Sequence, residues 1–133
     1  MTRVTGIGGM FFRAADPQAL LTWYRDILGI DLTADGVWRQ EAGPTVLGLF
    51  PKDSDYWPDT DQQWMLNLRV EDLDRMIWDL KMVGTVVETR PEWDSDIGRF
   101  ARIHDPEGNP IELWEPAGPA AEPPTDPAAD PAG

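Results

Sequence analysis

Few side chains in this sequence are suited to covalent or acid–base chemistry. Cysteine is absent, which removes thiolate nucleophiles, thiolate metal sites and disulfides together. The single histidine, His104, directly precedes an Asp105-Pro106 turn signal and belongs to no Ser–His–Asp order; a surface or turn-stabilising role suits it better than catalysis. Gly6-Ile7-Gly8-Gly9 comes before a β-type run instead of after one, so it does not fit a nucleotide fingerprint. What remains is aromatic and acidic. Segment 51–64 carries Tyr56, Trp57 and Trp64 among four Asp, and Trp38 and Trp93 stand beside other loops. Such a rim suits a planar or cationic ligand through stacking and cation–π contact. An exposed Trp between two halves of a chain serves equally well in a dimer interface, so both uses stand at this point.

The 133 residues suffice for one domain, with 41% hydrophobic and 26% charged residues, the balance of an ordinary globular protein. A net charge of −13 repels phosphate backbones and anionic lipid, which argues against nucleic-acid or membrane-surface partners. It favours cations, although solubility alone accounts for an acidic surface. The first residues lack the apolar stretch of a signal peptide and no run is long enough to span a bilayer, so a cytoplasmic location is expected. From Ala117 the sequence turns to Pro and Ala without an aromatic or large aliphatic residue; residues 117–133 read as a disordered tail and 1–116 as the folded domain.

The elements that must position the aromatic residues emerge from an internal repeat. Residues 10–23 align with 66–79 at an offset of 56, setting Arg13 on Arg69 and Asp16 on Asp72. Each copy opens with a β-type run and breaks at an Asp suited to cap a helix. Apolar residues then recur at helical spacing: Leu20, Leu21, Tyr24 and Leu28, and again Met76, Ile77, Leu80 and Val83. Gly29 and Gly84 stop the two helices. Strand-like runs follow at Ile30–Thr33, Val37–Glu41 and Thr45–Phe50, then at Val86–Arg90, Arg99–Ile103 and Pro110–Trp114. The reading is α+β: two paired βαβββ modules, about 4–50 and 64–116, forming a curved mixed sheet around a cavity with the helices outside.

The pieces Asp16-Pro17 with Trp23 to Gly29, Val70 to Asp74, and Asp105-Pro106-Glu107-Gly108-Asn109-Pro110-Ile111-Glu112-Leu113, in that order on a repeated βαβββ pattern, resemble the vicinal oxygen chelate superfamily. That superfamily includes glyoxalases, extradiol dioxygenases, fosfomycin-resistance enzymes and bleomycin-resistance proteins. The resemblance spans nearly all of Val4 to Pro116. It implies the fold; because the superfamily holds isomerases, dioxygenases, transferases and drug-sequestering proteins, it does not imply one activity. In its metal-dependent members a divalent ion is held by side chains that correspond here to Gly9, Gly48, Met65 and Glu112. Only Glu112 offers a hard ligand. The resemblance therefore implies no cofactor and no metal site of the usual type.

Strand alternation from those positions puts Phe11, Val46, Phe50, Asn67 and Trp114 on the cavity face, with Arg102 and Phe100 on the preceding strand. The ligand-binding set is then Phe11, Trp38, Phe50, Tyr56, Trp57, Trp64, Met65, Asn67, Arg102, Glu112 and Trp114, although residues this large could also stopper the cup themselves. A buried Glu112 needs a partner, and Arg102 is the expected one. The pair either orients a ligand or neutralises itself. Nothing specifies a reaction, so enzyme and binding protein both remain open. The leading expectation is a metal-independent small-molecule binding protein of the glyoxalase/bleomycin-resistance type, acting as a homodimer on an aromatic or cationic ligand. The alternative is a lyase- or isomerase-type enzyme using Glu112 as acid or base, with an atypical divalent metal as an optional partner.

Overall fold

A computed structural model of the chain describes residues 2–57 and 61–118. The two aspartates related by the repeat do the same work. Asp16 caps helix α1 (Pro17–Asp26) by accepting from the Ala19 amide at 3.1 Å, and Asp72 caps α2 (Leu73–Met82) by accepting from Arg75 at 3.1 Å. Each such cap stabilises its helix by about 1 kcal/mol. Beyond the helices, Gly29 and Gly84 adopt φ of 73° and 87°, left-handed values that turn the chain away at little steric cost to glycine. Leu20 and Tyr24 of α1, and Leu73 and Leu80 of α2, are buried.

Both helices cover one face of a mixed three-stranded sheet. Strand β1 (Leu66–Arg69) runs parallel to β3 (Pro110–Pro116), and β3 pairs antiparallel with β2 (Gly98–His104), in the order β1-β3-β2. Leu68, Ala101, Ile103, Ile111 and Leu113 point to the helices and make the core with the four buried helical residues. Each fully buried Leu or Ile there contributes roughly 1.5–3 kcal/mol. Alternation sends Asn67, Arg69, Phe100, Arg102, Glu112 and Trp114 to the opposite face.

The expected strands divide unevenly. In the second half, Arg99–Ile103 and Pro110–Trp114 lie within β2 and β3, and Val86–Arg90 joins them only through a bridge from Glu88 to Arg102. In the first half, Ile30–Thr33 and Val37–Glu41 meet in one bridge, Leu32 to Trp38, while the opening run and Thr45–Phe50 form no strand pairing among the described residues. The chain is thus a small α+β protein with a mixed open sheet and two helices. Apolar residues of the unpaired runs stand in solvent: Val4 is 89% exposed, Phe11 97%, Leu47 83% and Leu49 88%. A strand needs an edge to bond to, and alternation in sequence does not say which chain supplies it. No helix among the described residues is long and apolar enough to cross a membrane. The Pro/Ala-rich tail, beyond Gly118, lies outside the described residues.

Side chains tie the first half to the second. Glu107 accepts from the Ala15 and Asp16 amides at 2.6 and 3.0 Å, locking the entry of α1 to the β2–β3 turn. Arg69 donates to the carbonyls of Glu41, at 2.9 Å, and Pro44. A Cβ on Gly43 would stand 2.8 Å from the Arg69 Nε, so the glycine leaves room for the guanidinium.

Candidate functional site

Glu112 sits on the central strand with Asn67 of β1 on one side and Arg102 of β2 on the other, each in direct register with it. Its Oε1 accepts from Asn67 Nδ2 at 2.6 Å and its Oε2 accepts from the Tyr56 hydroxyl. Arg102 forms no ion pair with it; the expected pair is replaced by an indirect link through Tyr56. The Nη2 of Arg102 donates to the Tyr56 carbonyl at 3.0 Å, and its guanidinium lies 4.6 Å from the Tyr56 ring centroid and 5.1 Å from that of Trp93. The reason is competition. Two neutral donors already hold the carboxylate, and a planar, weakly hydrated guanidinium stacks well on aromatic faces. Arg102 is only 3% exposed, and its Nε has no hydrogen-bond partner, a costly state for a buried charge.

Four rings gather around this point. Phe50 stacks on Tyr56 with centroids 5.5 Å apart and planes 12° apart, while Trp57 meets Phe50 edge-on at 4.6 Å and Trp93 meets Tyr56 edge-on at 5.8 Å. Trp93 is held on a short 3₁₀ turn, Pro91–Trp93. Burial, reinforced by the hydrogen bond to Glu112, pushes the Tyr56 phenol up to about 12, so near neutral pH it is a proton donor.

Of the residues nominated from sequence, the fold therefore brings together Phe50, Tyr56, Trp57, Asn67, Arg102 and Glu112. The others lie elsewhere. Phe11 is almost fully exposed beside Gly9, Trp64 is exposed, Trp38 pairs with Leu32 through its backbone and leaves its side chain exposed, and Met65 is half-buried just before β1. Trp114 is buried on the sheet, stacked on Phe100, with its indole N–H given to the Ile97 carbonyl at 2.9 Å. His104 is exposed at the end of β2. Sequence reasoning missed Arg69, whose signal was its repeat partner Arg13. It also read Asp105-Pro106-Glu107 as a plain turn, although Asp105 and Glu107 both bind α1 or its entry.

The donor set does not fit a divalent ion. Among the described residues no three His, Cys, Asp or Glu side chains come together. Gly48 lies in the unpaired run with only Val46 and Phe50 near it, and both Glu112 oxygens face neutral donors.

Comparison with known proteins decides the family. The family described as glyoxalase-like domain matches residues 9–114. The chain belongs to the glyoxalase-like family. This glyoxalase-like chain is also similar to two solved structures. It is 25% identical to TnmS3, an antibiotic binding protein from Streptomyces sp. CB03234, with a TM-score of 0.59 over 88% of this chain and 100% of that one. A member of the glyoxalase/bleomycin resistance protein/dioxygenase superfamily from Sphaerobacter thermophilus DSM 20745 is 19% identical, with a TM-score of 0.52 over 84% and 98% of the two chains. The comparison with curated proteins found no match. These findings bear out the resemblance to the vicinal oxygen chelate superfamily.

Proposed function

We propose that this glyoxalase-like protein is a metal-independent small-molecule binding protein whose ligand is a planar aromatic compound, held in a cup completed by a second copy of the chain. The observation that carries the reading is the aromatic group of Phe50, Tyr56, Trp57 and Trp93 around one buried Arg102, with Glu112 and Asn67 at its base. Stacking surfaces with a few fixed polar groups are what orient a flat ligand in a pocket. Of the two ligand types expected from sequence, the arrangement favours the aromatic one, because Arg102 already occupies the position a ligand cation would take among the rings. Similarity to an antibiotic binding protein supports the same class of function, and the use of both Glu112 oxygens by neutral donors supports the metal-free half of the reading. In the alternative, Glu112 acts as an acid or base, for which Tyr56 must first leave its carboxylate.

The unpaired apolar runs support the homodimer in this reading. Phe11, Leu47 and Leu49 lie on segments of strand character with no strand partner among the described residues, and pairing with a second copy buries them and closes the two modules around the cavity. A cytoplasmic location belongs to the same reading. The test is a calorimetric screen of neutral and cationic planar aromatics, with light scattering on the same samples. Micromolar binding by a dimer is expected, with both dimer and affinity lost on Phe11→Asp combined with Leu47→Asp. A monomer that binds no planar compound overturns the proposal.

A further inference from the structure

Tyr56 reaches the sheet from a loop. Its backbone is held by short-range contacts, the Ser54 hydroxyl accepting from the Tyr56 amide at 3.2 Å and the Pro51 carbonyl accepting from the Ser54 amide at 2.9 Å, and by one long-range bond, the Tyr56 carbonyl accepting from Arg102 Nη2 at 3.0 Å, in a segment without helix or strand. What its side chain touches at the base belongs to the sheet: Glu112 on β3, whose other oxygen Asn67 of β1 holds, and Arg102 on β2. A phenol ring, stacked on Phe50 beneath a guanidinium and donating its hydroxyl to a carboxylate, thus rests on a rigid polar floor while tethered to a loop with few long-range bonds. One floor group is left unsatisfied, since the Nε of Arg102, in a side chain that is almost wholly buried, has no acceptor while Tyr56 is in place.

We infer that Tyr56 is a built-in stopper that stands where the ligand goes, and that the ligand is a hydroxylated planar aromatic whose phenolic O–H replaces that of Tyr56 on Glu112. The inference rests on the proposed binding function and deepens it. The loop swings Tyr56 out, the ligand ring takes the place under Arg102, and a second oxygen on the ligand meets the open Arg102 Nε. The ligand binds as the neutral phenol, because a phenolate would face the Glu112 carboxylate at hydrogen-bonding distance. The stopper weakens binding by the free energy of its own contacts, as any occupied ground state does.

The test uses the full chain, with 2-naphthol as probe and 2-methoxynaphthalene as the control lacking a donor, both measured by calorimetry. Tyr56→Ala is expected to bind 2-naphthol about 10-fold more tightly than the unaltered protein and to prefer it over the methyl ether by a similar factor. Adding Glu112→Leu to that variant is expected to abolish the preference. Should Tyr56→Ala fail to fold, Tyr56→Phe decides, since it keeps the ring but loses the tether to Glu112 and is expected to bind 2-naphthol about 3-fold more tightly. Weaker binding of both probes by the Tyr56 variants makes Tyr56 a wall of the site and overturns the stopper while leaving the binding function standing. Equal affinity for the two probes overturns the hydroxylated class. Absence of binding by every form overturns both this inference and the function it rests on.

Discussion

The Tyr24 hydroxyl donates to the Asp105 carboxylate at 2.7 Å, joining helix α1 to the β2–β3 turn across 81 positions of sequence. Asp105 is 4% exposed and also accepts from the Glu107 amide, the Asn109 amide and the Asn109 side chain, at 2.9, 3.0 and 2.7 Å. A buried carboxylate is tolerated because four donors surround it. Tyr24→Phe removes one of them and should destabilise the protein by about 1.5–3 kcal/mol, the range for a hydrogen bond to a charged group. Urea unfolding measures this, and an unchanged midpoint would show that α1 is held by packing alone.

The two tyrosines should be silent in an ordinary alkaline titration. Burial and Asp105 raise the Tyr24 phenol beyond the accessible range, and Tyr56 ionises only near 12. An unfolded tyrosine loses its proton near 10. Above that pH the unfolded chain has released protons that the folded chain keeps, so stability is full below about pH 10 and declines as pH rises through about 12. In Tyr24→Phe the tyrosinate absorbance band should develop with a midpoint near 12 from Tyr56 alone. A midpoint near 10 would mean that the phenol is solvated and does not rest on Glu112.

Gly98 opens β2 with φ of 140°, and a Cβ there would stand 2.2 Å from the Glu115 carbonyl oxygen and 2.7 Å from the Trp114 indole nitrogen. Both neighbours are fixed on β3. Gly98→Ala should therefore cost on the order of 2–4 kcal/mol, combining backbone strain with a displaced strand. Thermal unfolding followed by circular dichroism reads the loss.

Gly43 and Arg69 should be coupled. Gly43→Ala pushes on a guanidinium held by two carbonyls and is expected to cost about 1 kcal/mol, but close to nothing in an Arg69→Ala background, where the obstacle is gone. Additive effects in a double-mutant cycle would show that Arg69 does not bind the 41–44 segment in solution.

Much of this arrangement was legible in the sequence because it depends on local rules. Asp16 and Asp72 as caps, Gly29 and Gly84 as stops, and the helical spacing of Leu20 with Tyr24 are set by neighbours within a turn or two. Strand parity likewise put Arg102, Asn67 and Glu112 on one face, since side chains alternate whatever the strand packs against. Tertiary structure decided what parity leaves open. Two residues opposite each other in a sheet need not bond to each other. Arg102 and Glu112 are in register, yet each found a better partner in Tyr56, a loop residue whose arrival depends on where the chain between the halves comes to rest. The same reasoning separates Trp114, absorbed into the sheet, from Trp57 and Trp93, gathered at the site. It also explains the first half, where alternation marked runs able to form strands, while the choice of edge is a long-range matter of geometry that no local pattern encodes.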